Sequence, residues 1–272
     1  MDRADLDEPR ARAACAELDA LIVEMGERGL RMSSWYGGLE RPADMVEYEL
    51  ANRGLDYEPL AGAADDARFP WFLYWEIAWL VLHNDYRPGQ RLLDLGGCSS
   101  LFSCYMASKG LDVVAVDLKE ELVDHGNELA AATGWSLRNL RMDMRALDAG
   151  ELGGQFDHIA SVCVFEHIPI SGRIEVGGRI RGLLVDGGGF SISFDYANPS
   201  PLARIDSPED VERQFVRPSG LRVRGNGDFH DNGLRYLLHP GHHPRAPEEG
   251  WDRPETSGPG EYTFGALFQA RG

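Results

Sequence analysis

A short apolar run that ends in an acid and a tight glycine turn leaves this chain few folds to choose from. The run is Arg91-Leu92-Leu93-Asp94-Leu95, and Gly96-Gly97-Cys98-Ser99-Ser100 makes the turn. It is nearly continuous in apolar residues rather than alternating, as a strand covered on both faces must be. Residues 101–108 follow with the pattern of a short helix, stopped by Gly110. A second apolar run, Val113-Val114-Ala115-Val116, ends in Asp117. Strand, glycine turn, helix and strand make a βαβ unit, the element from which nucleotide-binding doubly wound sheets are built.

The turn also discriminates between ligands. A dinucleotide fingerprint needs Gly-x-Gly-x-x-Gly so that a pyrophosphate can approach the backbone at a helix N-terminus. Here Gly96 and Gly97 are adjacent, and Asp94 sits two places before the first of them. A carboxylate there repels phosphate and attracts an ammonium. S-adenosylmethionine has no phosphate and carries an amino group and a sulfonium, so the loop suits it better than NAD.

With these residues, from about position 91 to 194, the chain resembles the class I S-adenosylmethionine-dependent methyltransferases. The family loop is Asp-x-Gly-x-Gly-x-Gly; this chain keeps Asp94 and Gly96 and has Cys98 and Ser100 at the next two glycine positions. The resemblance implies S-adenosylmethionine as cofactor, held by Asp94, Gly96, Gly97 and Cys98 in the loop. Asp117 would hold the ribose hydroxyls, with Leu118 beside it. Asp143 would bond the adenine amino group, with Met144 packing on the ring. Cys163, at the end of the fourth strand, would contact the cofactor, and Glu166-His167, similar to the family's segment after that strand, would lie beside the methyl donor. The implied fold is α/β: a seven-stranded, mostly parallel, doubly wound sheet with its last strand antiparallel. Two other readings stay open, a nicotinamide-dependent oxidoreductase or epimerase and a non-catalytic protein that keeps the fold.

Composition narrows the partners. The chain has 272 residues, of which 43% are hydrophobic, enough for a sizeable core. The net charge of −17 argues against nucleic acid, whose phosphates need a basic surface. No run of 18 apolar residues predicts a membrane span, and the first residues lack the basic-then-apolar pattern of a signal peptide. Cys15, Cys98, Cys104 and Cys163 are scattered without metal-type pairing, as free thiols in a reducing compartment are. The expectation is a cytoplasmic enzyme acting on a small-molecule methyl acceptor.

The organisation follows from periodicity and breakers. Residues 1–64 are expected to form an N-terminal helical cap, with an amphipathic helix over 11–27 and a shorter one over 43–52. Residues 62–68, small and acidic, read as a link, and 65–272 as the cofactor-binding domain. A helix over 70–82 carries Trp71, Trp75 and Trp79 at four-residue steps, a stripe that reads as packing against a sheet. Later elements are a helix over 173–184, a fifth strand over 190–194, a capped helix start at Ser207, and strands near 221–224 and 262–268. Residues 239–260, rich in Pro, Gly, His and Glu, make an irregular excursion that reads as a substrate lid.

The chemistry of methyl transfer asks the protein to align a nucleophile and exclude water. For a hydroxyl nucleophile a general base helps. His167 is the candidate base and Glu166 its orienting partner; equally, the pair caps the following turn. Oxygen is slightly favoured as acceptor, with nitrogen or carbon open. Asp195, Tyr196 and Asn198 fall just past the fifth strand, where ligands bind in open α/β sheets, and read as substrate contacts or as turn formers before Pro199. Asp228, His230, Asp231, His239, His242 and His243 offer metal-type ligands. Some methyltransferases hold a divalent ion with Glu-x-x-Glu-His, but Cys163 replaces the first glutamate here, and no bound metal is expected.

Overall fold

A computed structural model of the chain describes residues 1–41, 66, 68–198, 205–225, 227–237 and 261–272. The expected helix over 43–52, most of the 62–68 link and the 239–260 excursion lie outside the described residues. In chain order the elements are helix α1 (Pro9–Glu27), α2 (Trp71–His83), strand β1 (Arg91–Leu95), α3 (Leu101–Ser108), β2 (Asp112–Asp117), α4 (Glu120–Thr133), β3 (Leu137–Arg141), β4 (Phe156–Val162), α5 (Ile170–Leu183), β5 (Leu184–Tyr196), α6 (Pro208–Val211), β6 (Arg222–Val223), β7 (Tyr236–Leu237) and β8 (Glu261–Ala270).

The strands join in the order β3-β2-β1-β4-β5-β8-β6, with β7 pairing the other end of β8. β1 through β5 are parallel, and β8 runs antiparallel between β5 and β6. This is the seven-strand path and reversed strand that the sequence predicts. Because the central strands are covered on both faces, neighbouring residues divide between two cores. Leu92, Val113 and Ala160 pack with α1, α2 and α3, whereas Leu93, Val114 and Ile159 pack with α5 and its neighbours. Leu18, Leu21, Ile22 and Met25 of α1 are part of the first core, so this helix is built into the same core as the sheet. The tryptophan stripe behaves as expected, with Trp71 and Trp75 buried against β8 residues Tyr262 and Phe264.

β5 is longer than its apolar run suggests. Phe156 pairs with Leu184, but His158 pairs with Gly189, so residues 185–188 bulge out of the ladder. Gly187, at φ +78°, makes that bulge possible. The strand therefore starts before the glycine run instead of after it.

α5 carries four glycines, and two adjacent ones have opposite jobs. A Cβ on Gly177 would come 2.8 Å from Pro218 Cβ, whereas one on Gly178 would meet nothing within 4 Å. Gly177→Ala is expected to lower stability by about 1–3 kcal/mol through overpacking, and Gly178→Ala to raise it by about 0.5–1 kcal/mol through helix propensity. Urea unfolding of the two variants checks the sign of each.

Candidate active site

The C-terminal ends of β1, β2, β3, β4 and β5 all point the same way, and the residues after them gather at one edge of the sheet. At the end of β1, Asp94 is buried, 1% exposed. Its Oδ2 accepts 2.7 Å from Ser103 Oγ on α3, while its Oδ1 has no partner. Burial, chiefly, pushes this carboxyl up to about 7, and the charge of Asp117 adds to the shift. The turn after β1 folds tightly around this group. A Cβ on Gly97 would lie 1.8 Å from Asp94 Oδ2, so no side chain fits there.

Gly96 adopts φ +84° and has Val164 of the post-β4 loop against it. Ser99, between the two substituted glycine positions, takes the left-handed conformation, at φ 57°. Three contacts hold it: its N–H donates to Asn139 Oδ1 at 3.3 Å, its hydroxyl to Cys98 O at 2.7 Å, and its carbonyl accepts from Ser33 N at 2.8 Å. Ser100 caps α3, accepting from Ser103 N at 3.0 Å. Thus Cys98 and Ser100 keep the turn without glycine. The Cys98 side chain turns inward, packing with Ala115, Leu122, Val123 and Leu39, and burial raises its thiol.

Asp117 ends β2 half-buried, accepting from Lys119 N at 2.9 Å, and burial raises its carboxyl. Beside it Leu118 is 62% exposed, an unusual position for a leucine. Asp143 caps a single turn, Met144–Ala146, and its carboxylate is gripped by Arg145 at 2.6 and 3.0 Å, which holds it below the usual carboxylate range. Over the turn lies the N-terminal segment: besides the Ser33–Ser99 bond, Lys119 Nζ donates to Gly37 O at 2.6 Å.

After β4, Cys163 adopts φ 53° and begins a loop that buries Glu166 and exposes His167. Glu166 Oε1 accepts from Asp195 N at 3.0 Å, and its Oε2 has no partner. Cys163 Sγ lies 3.7 Å from Asp195 Oδ1, and Asn198 donates to Asp195 Oδ2 at 2.5 Å. Asp195 and Asn198 thus join Cys163 and Glu166. Tyr196 does not, because successive strand residues face opposite sides; its ring meets Phe229 at 5.0 Å in the other core. A cavity of about 370 Å³ opens there along β8, lined by Tyr196, Asp228, Phe229, His230 and Asp231. Asp231 is paired with Arg235 at 2.8 Å. The metal-type ligand atoms that do converge among the described residues are those of Cys163, Glu166 and His167, within 4.8 Å of one another.

Residues 92–188 match a family model described as a methyltransferase domain. No curated protein matches the chain by sequence. The fold is similar to a TehB-like SAM-dependent methyltransferase from Corynebacterium glutamicum (TM-score 0.51, 18% identity, 85% of this chain and 100% of that one). It is also similar to TehB from Haemophilus influenzae (TM-score 0.50, 16% identity, 68% of this chain); the match spans 58% of the TehB chain. A third similar fold is YcgJ from Bacillus subtilis (TM-score 0.50, 13% identity, 73% and 98%). The matched segment holds the central strands, and the sheet around it has the class I methyltransferase fold. The cofactor that such a domain implies is S-adenosylmethionine. The residues fit it: a bare turn at Gly97, two neighbouring carboxylates, an unpartnered Asp94 oxygen and an exposed Leu118 suit a cationic, phosphate-free nucleoside.

Sequence reasoning missed several supporting groups. Asn139, Ser103 and the 33–39 segment act on the loop from a distance in sequence that no local motif spans. Glu76 of α2 was missed as well, although a single acid in an apolar helix could have marked it; it is 1% exposed.

The raised carboxyl of Asp94 gives a pH dependence with a defined sign. Its folded pKa lies above the unfolded one, so the folded state binds the extra proton, and stability is lost as pH rises toward about 7. Between about pH 5 and about pH 8 this costs on the order of 2–3 kcal/mol. Urea unfolding at the two pH values should show that dependence reduced by this amount in Asp94→Asn; an unchanged slope would remove Asp94 as its source.

Proposed function

We propose that the protein transfers the methyl group of S-adenosylmethionine to a small molecule. The observation that carries this reading is the Asp94–Gly97 turn, which leaves bare backbone beside two carboxylates and so rejects a pyrophosphate. When bound, the cofactor supplies a methyl group already activated on a sulfonium. Asp94 and the backbone of Gly96, Gly97 and Cys98 would hold its amino-acid end, Asp117 its ribose hydroxyls, and Leu118 and Met144 its adenine. Asp143 would reach the adenine amino group by sharing its oxygens with Arg145. The N-terminal segment over Ser99 would act as the cap, and Cys163 would border the methyl.

The chain's own work is then to orient the acceptor and move one proton. His167, exposed at the rim, would take the proton of an acceptor hydroxyl as the new bond forms. Asp195 and Asn198 would contact the acceptor from the end of β5. A nitrogen acceptor is favoured by a separate observation, the buried acids behind Cys163. The charge of −17 supports a small molecule over a nucleic acid.

Calorimetric titration with S-adenosylhomocysteine, and with NAD as control, tests the reading: micromolar binding of the first and none of the second is expected, about 8 kcal/mol. Asp117→Ala should weaken that binding by about 1–3 kcal/mol. His167→Ala should slow turnover of a hydroxyl acceptor roughly a hundredfold while leaving the S-adenosylhomocysteine affinity nearly intact. Tight NAD binding would overturn the proposal.

A further inference from the structure

Glu76 sits in the middle of an otherwise apolar helix, buried, with Oε1 lacking any hydrogen-bond partner. A carboxyl in that position is costly unless something pairs with it. Its surroundings are acidic too. Burial first, and then the charges of Glu166 and Asp195, hold its carboxyl well above the usual carboxylate range, and Asp195 is raised likewise. Glu166 Oε2 is a second buried, unpartnered acceptor. None of the ion pairs among the described residues involves these three acids. Arg173, the buried cation nearby, donates to Ile168 O at 2.7 Å, to Glu166 O at 2.6 Å and to Gln214.

Two further observations point to a ligand. Ser193, fully buried on the same face of β5 as Asp195, sets its hydroxyl against the Glu76 carboxyl, and Glu76 Oε1 still has no partner. Aromatic rings close the other side. Trp71, Phe72, Trp75, Tyr262 and Phe264 form one cluster, and Cys163 packs against it. Acids that supply charge beside aromatic faces make the chemistry of an alkylated ammonium.

We propose that Glu76, Glu166 and Asp195 bind the ammonium group of an alkylamine, and that this amine is the methyl acceptor. Glu76 Oε1 and Glu166 Oε2 take its N–H bonds, and the rings of the Trp71–Phe264 cluster cover its alkyl groups. The proposal rests on the methyltransferase reading above. Before transfer the ammonium gives Glu76 the proton that its Oε1 accepts. The nitrogen lone pair then forms the new N–C bond as the methyl carbon's bond to sulfur breaks, and that electron pair stays on sulfur. A metal ion on Cys163, Glu166 and His167 is the competing occupant. It would leave Glu76, Ser193 and the aromatic wall without a part, which is why the amine is favoured.

The test uses the whole protein saturated with S-adenosylhomocysteine, titrated with N-methylbutylammonium chloride and with its neutral isostere butyl methyl ether. The amine is expected to bind at least roughly tenfold more tightly than the ether, and Glu76→Gln to erase that preference while S-adenosylhomocysteine affinity stays the same. Radiolabelled methyl transfer to secondary alkylamines, lost in Glu76→Gln, is the matching activity. Equal binding of amine and ether by a protein that binds S-adenosylhomocysteine overturns this inference and leaves the methyltransferase reading standing. Failure to bind S-adenosylhomocysteine overturns that reading itself. A stoichiometric divalent metal in the purified protein, lost in Cys163→Ser, assigns the acids to a metal centre and also overturns the proposal. Should Glu76→Gln fail to fold, the amine-to-ether preference of the unaltered protein decides.

Discussion

The carboxylate of Asp94 fills the space that a side chain on Gly97 would need, and the rest of the cofactor end is arranged around that fit. Ser103 bonds the same carboxylate from the first turn of α3, which links the end of β1, the turn and the helix start. Val164, seated on Gly96, ties this unit to the loop after β4. Asn139 ties it to β3 through Ser99. A turn with so few glycines holds its shape because polar contacts from three other elements replace the backbone freedom that glycine would have given.

The sheet was legible because β1 and β2 are short apolar runs closed by a glycine turn and by an acid. Strands covered on both faces have no alternation to misread, and the order of Asp94, Asp117, Asp143 and Glu166 along the chain is the order in which the strands deliver them. The start of β5 was not legible, since a bulge is a matter of pairing register and leaves only a glycine run in the sequence. Tyr196 was grouped with Asp195 and Asn198 by closeness in sequence, whereas alternation along the strand sends its ring to the opposite core. Arg145 beside Asp143 was overlooked because a carboxylate's local partner is invisible until the turn brings it back. The acids behind Cys163 come from three separate elements, which no local pattern connects.

That acidic region has a physical character of its own. Among the described residues most acids are exposed and solvated, where they do little beyond solubility. Glu76, Glu166 and Asp195 differ because each is shielded from water, so their mutual repulsion is unscreened and any ligand that relieves it gains selectivity. Arg173, buried close by, donates to carbonyl oxygens and to Gln214, which fixes the loop after β4, and its charge only partly offsets the burial of Asp195.

The bulge at 185–188 lies at the opposite end of the sheet from all of this, where β5 begins. Asp186 and Gly187 are exposed there, and the ladder resumes only at Gly189. One end of β5 therefore delivers the site residues, while the other already accommodates extra residues. Lengthening the chain at this bulge, or carrying a label on it, disturbs neither core, so the sheet's polarity separates a surface free to diverge from one that is not.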